Sequence, residues 1–167
     1  GFVAVWSDAG EIRSKVFASG DYTAGNDIIF GTSASDTLVG GSGTDTFEVW
    51  VGSNSDLIDN RGFGADGDKV LFSGATTAEQ LWFQRDGDNL TVSVMGTADS
   101  VTIADWYQDP ANHVSTFVTA DNRTLADSAV DNLVNAMAAF SPPPIGQTTL
   151  TPQEAVVLTD VIAANWK

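Results

Sequence analysis

Gly40-Gly41-Ser42-Gly43-Thr44-Asp45-Thr46-Phe47-Glu48, residues 40–48, is the stretch that decides the fold. Two looser copies precede it, YTAGNDIIF at 22–30 and GTSASDTLV at 31–39. Asp27, Asp36 and Asp45 therefore recur every nine residues, each with an apolar residue two places later (Ile29, Leu38, Phe47). A short fixed period of this kind marks a stacked repeat, in which one turn-plus-strand unit can bury its apolar side chain only against its neighbours. With two nonapeptides per coil, residues eighteen apart stack, so the turn ending at Asp27 lies beside the turn ending at Asp45 and Asp36 faces the opposite edge. The period slips after Asp45: Asp56 follows it by eleven, and Asp68 with Val70 restarts the pattern in DGDKVLF.

Glycines at alternate positions let the chain adopt positive φ, which turns it sharply and aims successive carbonyl oxygens the same way. An Asp at the end of the turn adds a carboxylate. Carbonyls from two stacked turns plus two carboxylates supply the six or more oxygens that Ca²⁺ prefers, whereas Mg²⁺ demands a tight octahedron and keeps its waters. The candidate metal residues are Asp27, Asp36, Asp45, Asp56 and Asp68, with Gly25, Gly41 and Gly43 shaping the turns. Thr32 and Ala34 stand where the best repeat has Gly41 and Gly43, so the turn ending at Asp36 is expected to hold calcium weakly or not at all. Asp56 and Asp68 read equally as completing degenerate sites or as capping loops.

Outward from the repeat the pattern changes. Leu81-Trp82-Phe83, a turn at 85–89 containing Gly87, and Leu90, Val92 and Val94 alternating with Thr91 and Ser93 predict a hairpin. A second turn at 96–100 leads into 101–106, which reads as more antiparallel strand with one buried face. Thr124 with Asp127 forms a weak capping box, and Leu125, Ala129, Leu133, Met137 and Phe140 recur at helical spacing. Ser141-Pro142-Pro143-Pro144 stops that helix. Thr151-Pro152-Gln153-Glu154 then offers an N-cap, a Pro at the first helical position and a Glu at the third, for a last helix running to about Ala164. On the other side of the repeat, 2–6, a turn at 7–10 and 12–17 suggest a strand pair that packs on the roll or ends an upstream domain. The expected fold is mostly β: a short parallel β-roll, then antiparallel strands and two C-terminal helices. The expected blocks are 1–20, 21–74, 75–140 and 141–167.

Composition narrows the function. The chain has 167 residues with 22 acidic against 7 basic side chains, a net charge of -15, so nucleic acid is excluded as a natural partner. Asp outnumbers Glu 18 to 4, which suits turns and hard-cation sites better than solvated helices. Cys is absent, removing disulfides, thiolate nucleophiles and Cys-based metal sites together. No stretch has the roughly 20 apolar residues of a membrane span. The start, Gly1-Phe2-Val3, has no Met and no signal peptide, which reads as a piece of a longer chain whose export address lies elsewhere.

Residues 25–56 resemble RTX, or haemolysin-type, calcium-binding repeats. Residues 78–139 resemble the domain that follows them, through Leu-Trp-Phe, the Gly-Asp-Asn turn, Leu-Thr-Val-Ser-Val, Val-Thr-Ile and Asp-Trp-Tyr, and the ending Ile162-Ala163-Ala164-Asn165-Trp166 is similar to the C-termini of such proteins. The resemblance implies a parallel β-roll that folds when Ca²⁺ binds outside the cell. It also implies an uncleaved C-terminal signal read by a bacterial type I (ABC transporter) secretion machine, upstream domains as further partners, and a secreted, extracellular or cell-surface location. The reading is a non-catalytic calcium-binding module of a larger secreted protein. One alternative is a calcium-dependent adhesin or carbohydrate-binding module for cell-surface glycans, with Trp82, Trp106 and Tyr107 as a stacking platform, although residues at strand spacing are more often core. The other is a piece of a secreted hydrolase. No catalytic residue is assigned: His113 is the sole histidine and no G-x-S-x-G accompanies it, while Asp86 and Asp88 flank a hairpin glycine and read as a solvated turn.

Overall fold

The computed structural model describes residues 6–8, 11–13, 23–63 and 67–167. The strands expected at 2–5 and 14–17 and the start of the repeat at 21–22 lie outside them. The described strands are β1 (Trp6–Asp8), β2 (Glu11–Arg13), β3 (Thr23–Ala24), β4 (Asp27–Phe30), β5 (Thr37–Leu38), β6 (Gly41–Ser42) and β7 (Thr46–Val49), then β8 (Ser55–Ile58), β9 (Lys69–Phe72), β10 (Leu81–Asp86), β11 (Asn89–Val94), β12 (Ser100–Ile103), β13 (Thr116–Thr119) and β14 (Thr124–Ala126). Two helices follow, α1 (Val130–Met137) and α2 (Pro152–Asn165).

The strands form two main sheets, ordered β1-β2-β4-β7-β9-β13-β14 and β10-β11-β12-β8-β5, with β3 and β6 as a separate parallel pair. Each nonapeptide contributes one short strand to the main sheets (β4, β5, β7), successive repeats alternating between the two, while the turns of the first and third add β3 and β6. Along the first sheet Ile29, Phe47, Val70 and Phe117 stand opposite one another in parallel register. Along the second, Leu38, Ile58 and Ile103 do the same. All seven side chains are essentially inaccessible and share one core, which explains the apolar residue two places after each Asp. Burying a side chain of this size contributes about 1.5–3 kcal/mol.

The register also explains the slip in period. Asp27 and Asp45 are 18 residues apart across one coil, Asp36 and Asp56 are 20 apart, and Asp45 and Asp68 are 23 apart. The coils keep stacking while their loops lengthen, because only the strand register must be conserved to keep the core filled.

The segment after the roll was expected as antiparallel strands alone, and here the structure adds something. β10 and β11 form the hairpin, with Gly87 at φ +60 in its two-residue turn, and β12 pairs antiparallel to β11. The other edge of β12, however, pairs in parallel with β8, and β13 pairs in parallel with β9. The two sheets of the roll thus continue into the following segment, which closes the open end of the core. A second difference concerns Thr124: residues 124–126 form β14, antiparallel to β13, and a 3₁₀ turn at Asp127–Ala129 precedes α1. Leu125 is buried as expected, but from a strand.

α1 buries Val130, Leu133, Val134 and Met137 and packs on β10. It ends at Met137, short of the expected Phe140 and before the proline run is reached, and the strap that follows returns over the Gly96 turn, where the Gly146 N–H donates to the Gly96 carbonyl at 3.0 Å. α2 carries the expected capping box: Thr151 Oγ1 accepts from Glu154 N at 3.3 Å and Glu154 Oε2 from Thr151 N at 2.6 Å. It packs on α1 and buries Leu158 and Ile162. Trp166 is buried with its ring edge-on to Phe83, and Lys167 and Thr124 exchange backbone hydrogen bonds at 2.8 and 2.9 Å.

Candidate metal centre

The turn glycines sit where the sequence requires them. Gly25, Gly41 and Gly43 have φ of +139°, +94° and +127°, values that L side chains rarely adopt. Gly43 has a second constraint: a Cβ there would strike the Gly25 carbonyl of the stacked turn and come within 3.2 Å of Asn26 Oδ1. The two turns lie directly on each other, joined by Gly25 N to the Ser42 carbonyl at 2.8 Å and Thr44 N to Asn26 Oδ1 at 2.8 Å.

The five aspartates line two edges as two ladders. On one edge Asp45 Oδ1 accepts from Asp27 N at 2.8 Å and Asp68 Oδ1 accepts from Asp45 N at 2.7 Å. On the other, Asp56 Oδ1 accepts from Asp36 N at 3.0 Å. Asp27, Asp45, Asp56 and Asp68 are buried, and Asp36 is half-buried. Each coil's carboxylate thus caps the amide of the coil before it. Asp56 and Asp68, which the sequence left between two roles, both stand in these ladders.

Burying a carboxylate is costly, and one atom of Asp56 makes the cost specific. Asp56 Oδ2 is buried and accepts no hydrogen bond. Burial, reinforced by the neighbouring charges of Asp36 and Asp99 and only partly offset by the Asp36 amide, pushes the Asp56 carboxyl up to about 6. Gly31 supplies the space beside it. A Cβ on Gly31 would lie 2.9 Å from Asp56 Oδ2 and 3.1 Å from Asp36 Oδ2, so the missing side chain leaves a cradle faced by two carboxylates. Among the described residues no three His, Cys, Asp or Glu side chains converge on one point. A metal held here would meet oxygen donors alone, of the kind Ca²⁺ prefers.

Asp36 differs from its equivalents. Its Oδ2 accepts from both Thr32 N at 2.6 Å and Thr32 Oγ1 at 2.7 Å, so the residue that displaced a glycine also ties up the carboxylate. Sequence reasoning missed Asp99, whose two oxygens accept from Gly52 N and Asn54 N, each at 2.9 Å. Asp99 lies 43 residues from Asp56, and no period could flag it. Asn26 was also missed, though it immediately precedes Asp27 in the repeat.

The other candidates fall to structural roles. Trp82 and Trp106 are core residues, which removes two members of the suggested sugar platform, and Tyr107 lies under the Arg85 guanidinium at 4.2 Å. His113 stacks on Trp106 with ring centroids 3.7 Å apart, and its Nε2 is 2.9 Å from the Trp106 carbonyl oxygen. Asp86 and Asp88 are exposed at the hairpin tip. Among the described residues no helix is long and apolar enough to cross a membrane.

Comparison with known families agrees with this geometry. Residues 21–56 match the RTX calcium-binding nonapeptide repeat (4 copies), and residues 89–129 match the haemolysin-type calcium binding protein related domain. The first match covers the ladder turns through Asp56, and the second covers β11 through β14, the strands that close the roll.

Proposed function

We propose that this chain, an RTX protein by its Ca²⁺-binding repeats and the domain that follows them, is a non-catalytic module that is exported unfolded and folds on Ca²⁺ outside the cell. In this reading 21–74 is the metal-responsive roll, 75–140 its cap, 141–167 the address for a type I transporter, and 1–20 a strand-pair segment whose β2 pairs in parallel with β4 of the roll. The observation that carries it is the pair of ladders: four buried aspartates stacked on successive coils, one with a buried oxygen that accepts no hydrogen bond. Asp27, Asp36, Asp45, Asp56 and Asp68 supply carboxylates, and the turns at Gly25, Gly41 and Gly43 supply carbonyls. Bound Ca²⁺ supplies positive charge beside the buried carboxylates. An ion that binds the folded state alone stabilises it by about 2.7 kcal/mol at a hundredfold excess over Kd.

Trp50 tests this. Its Nε1 donates to the Gly31 carbonyl at 3.3 Å, across the cradle turn. Chelation should shift its emission to the red and reduce β ellipticity, and Ca²⁺ should reverse both. Spectra indifferent to EDTA and Ca²⁺ would overturn the reading. RTX proteins are generally secreted by type I systems, which supports the export half. In a cytosol poor in free Ca²⁺ the repeats would stay threadable, and folding outside would oppose return.

A further inference from the structure

Arg61 holds two carboxylates on neighbouring coils at once. Its Nε and Nη2 reach the two oxygens of Asp59, each at 2.8 Å, and its Nη1 reaches Asp105 Oδ2 at 2.9 Å. The remaining Asp105 oxygen accepts from Gln108 Nε2 at 3.3 Å. Asp59 immediately follows β8, the last repeat strand of its sheet, and Asp105 closely follows β12, the strand the cap lays beside it. Asp105 takes φ +51° at this point. The contact with Arg61 holds the Asp59 carboxyl below its usual range. Elsewhere in the roll the stacked aspartates are joined through backbone amides, Asp45 to Asp27 and Asp68 to Asp45 on one edge and Asp56 to Asp36 on the other. At this joint the chain supplies a cation.

An exposed single ion pair contributes little, but a bidentate fork that extends into a network is the exception. Only Arg has that fork, and it carries its charge at every physiological pH. We propose that Arg61 is a built-in cation: at the joint between roll and cap it does without metal what Ca²⁺ does between repeats, so the cap, once folded outside the cell, keeps its grip on β8 when Ca²⁺ is later withdrawn. The cap would then be a standing template on which the repeats reorder when Ca²⁺ returns. This inference rests on the calcium reading above.

Hydrogen exchange on the whole chain, with and without EDTA, tests it through the Ala104 amide, which bonds the Ile58 carbonyl at 3.0 Å across the joint. In the unmodified chain EDTA should remove protection from 27–49 and leave it at 100–104. In Arg61→Gln, EDTA should remove protection at 100–104 as well, and excess Ca²⁺ should restore it by entering between the vacated carboxylates. Arg61→Lys, which keeps the charge but reaches one carboxylate, should retain part of the protection. Arg61→Gln combined with Asp105→Asn should not be rescued by Ca²⁺, and Asn tolerates the left-handed backbone there. If Arg61→Gln keeps Ala104 protected in EDTA, or loses it without rescue by Ca²⁺, the built-in cation is wrong. Loss of cap protection in the unmodified chain under EDTA would also overturn it, while calcium-coupled folding of the repeats stood. Repeats indifferent to EDTA would overturn the calcium reading and this inference with it. Should Arg61→Gln fail to fold, Asp105→Asn alone decides: unchanged Ala104 protection in EDTA sinks the proposal.

Discussion

Asp36 and Asp45 hold equivalent places in the repeat but meet different surroundings. Asp45 is fully buried and accepts the Asp27 amide from the stacked turn, whereas Asp36 is half-buried and its Oδ2 is held by Thr32. Asp45→Ala removes a ladder rung and orphans a buried amide, at a cost of about 1–3 kcal/mol before any metal is counted. It should lower calcium affinity in calorimetry far more than Asp36→Ala; equal losses would mean the two turns contribute alike. Asp56 adds a pH dependence. Its carboxyl is raised from 3.8 to about 6 in the folded chain, so the folded state holds the proton more tightly than the unfolded one. That contribution is fully present below 3.8 and is lost as pH rises through about 6. Without metal, the roll should therefore be more ordered at pH 5 than at pH 7.5, and Asp56→Asn should flatten the difference. Ca²⁺ requires the anion, so its affinity should fall over the same interval. A Trp50 emission profile against pH, with and without Ca²⁺, reads both effects.

At the scale of elements, stacked turns tolerate no side chain where backbones touch. Gly43→Ala would drive a Cβ into the Gly25 carbonyl, while Gly25→Ala meets nothing within 4 Å, although both are strained by positive φ. Gly43→Ala should therefore lose more calcium-induced ellipticity than Gly25→Ala. The difference between them isolates the close approach from the backbone strain they share. The repeat elements were legible because the constraint is local: nine residues contain the turn, the carboxylate and the core residue. The hairpin and the cap of α2 were legible for the same reason, since Gly87 and the Thr151–Glu154 box lie within their own elements. What escaped was long-range. Ile103 stacks on Ile58 and Phe117 on Val70 at sequence separations of 45 and 47, and no short period spans them. Leu125 fits a helical spacing and a strand equally well, and pairing with β13 decided between them. The Asp99 bonds to Gly52 and Asn54 and the Arg61 bond to Asp105 exist only once β12 lies beside β8.

At the scale of the whole molecule, the stretch proposed as the export address is also part of the folded core. Leu158, Ile162 and Trp166 are buried, and Lys167 is bonded to β14. Deleting 145–167 would uncover Phe83 and strip the partner from α1, so a truncated chain that stays inside the cell could have lost either its address or its fold. Two kinds of substitution separate these. Trp166→Ala opens a cavity costing about 3–5 kcal/mol, but it acts only on the folded chain and leaves the threadable state unchanged. Val156 is 83% exposed and Val157 44%, so Val156→Asp with Val157→Asp leaves the folded packing nearly intact while charging a face that an apolar receptor would grip. With each variant fused behind a passenger in cells carrying a matched type I system, Trp166→Ala should be exported normally and then fold poorly on Ca²⁺. The double Asp variant should fold normally in vitro and stay inside. Normal export of the double variant would leave α2 as the lid of the cap and move the address elsewhere in the chain. Retention of Trp166→Ala would mean that the transporter senses a structured end.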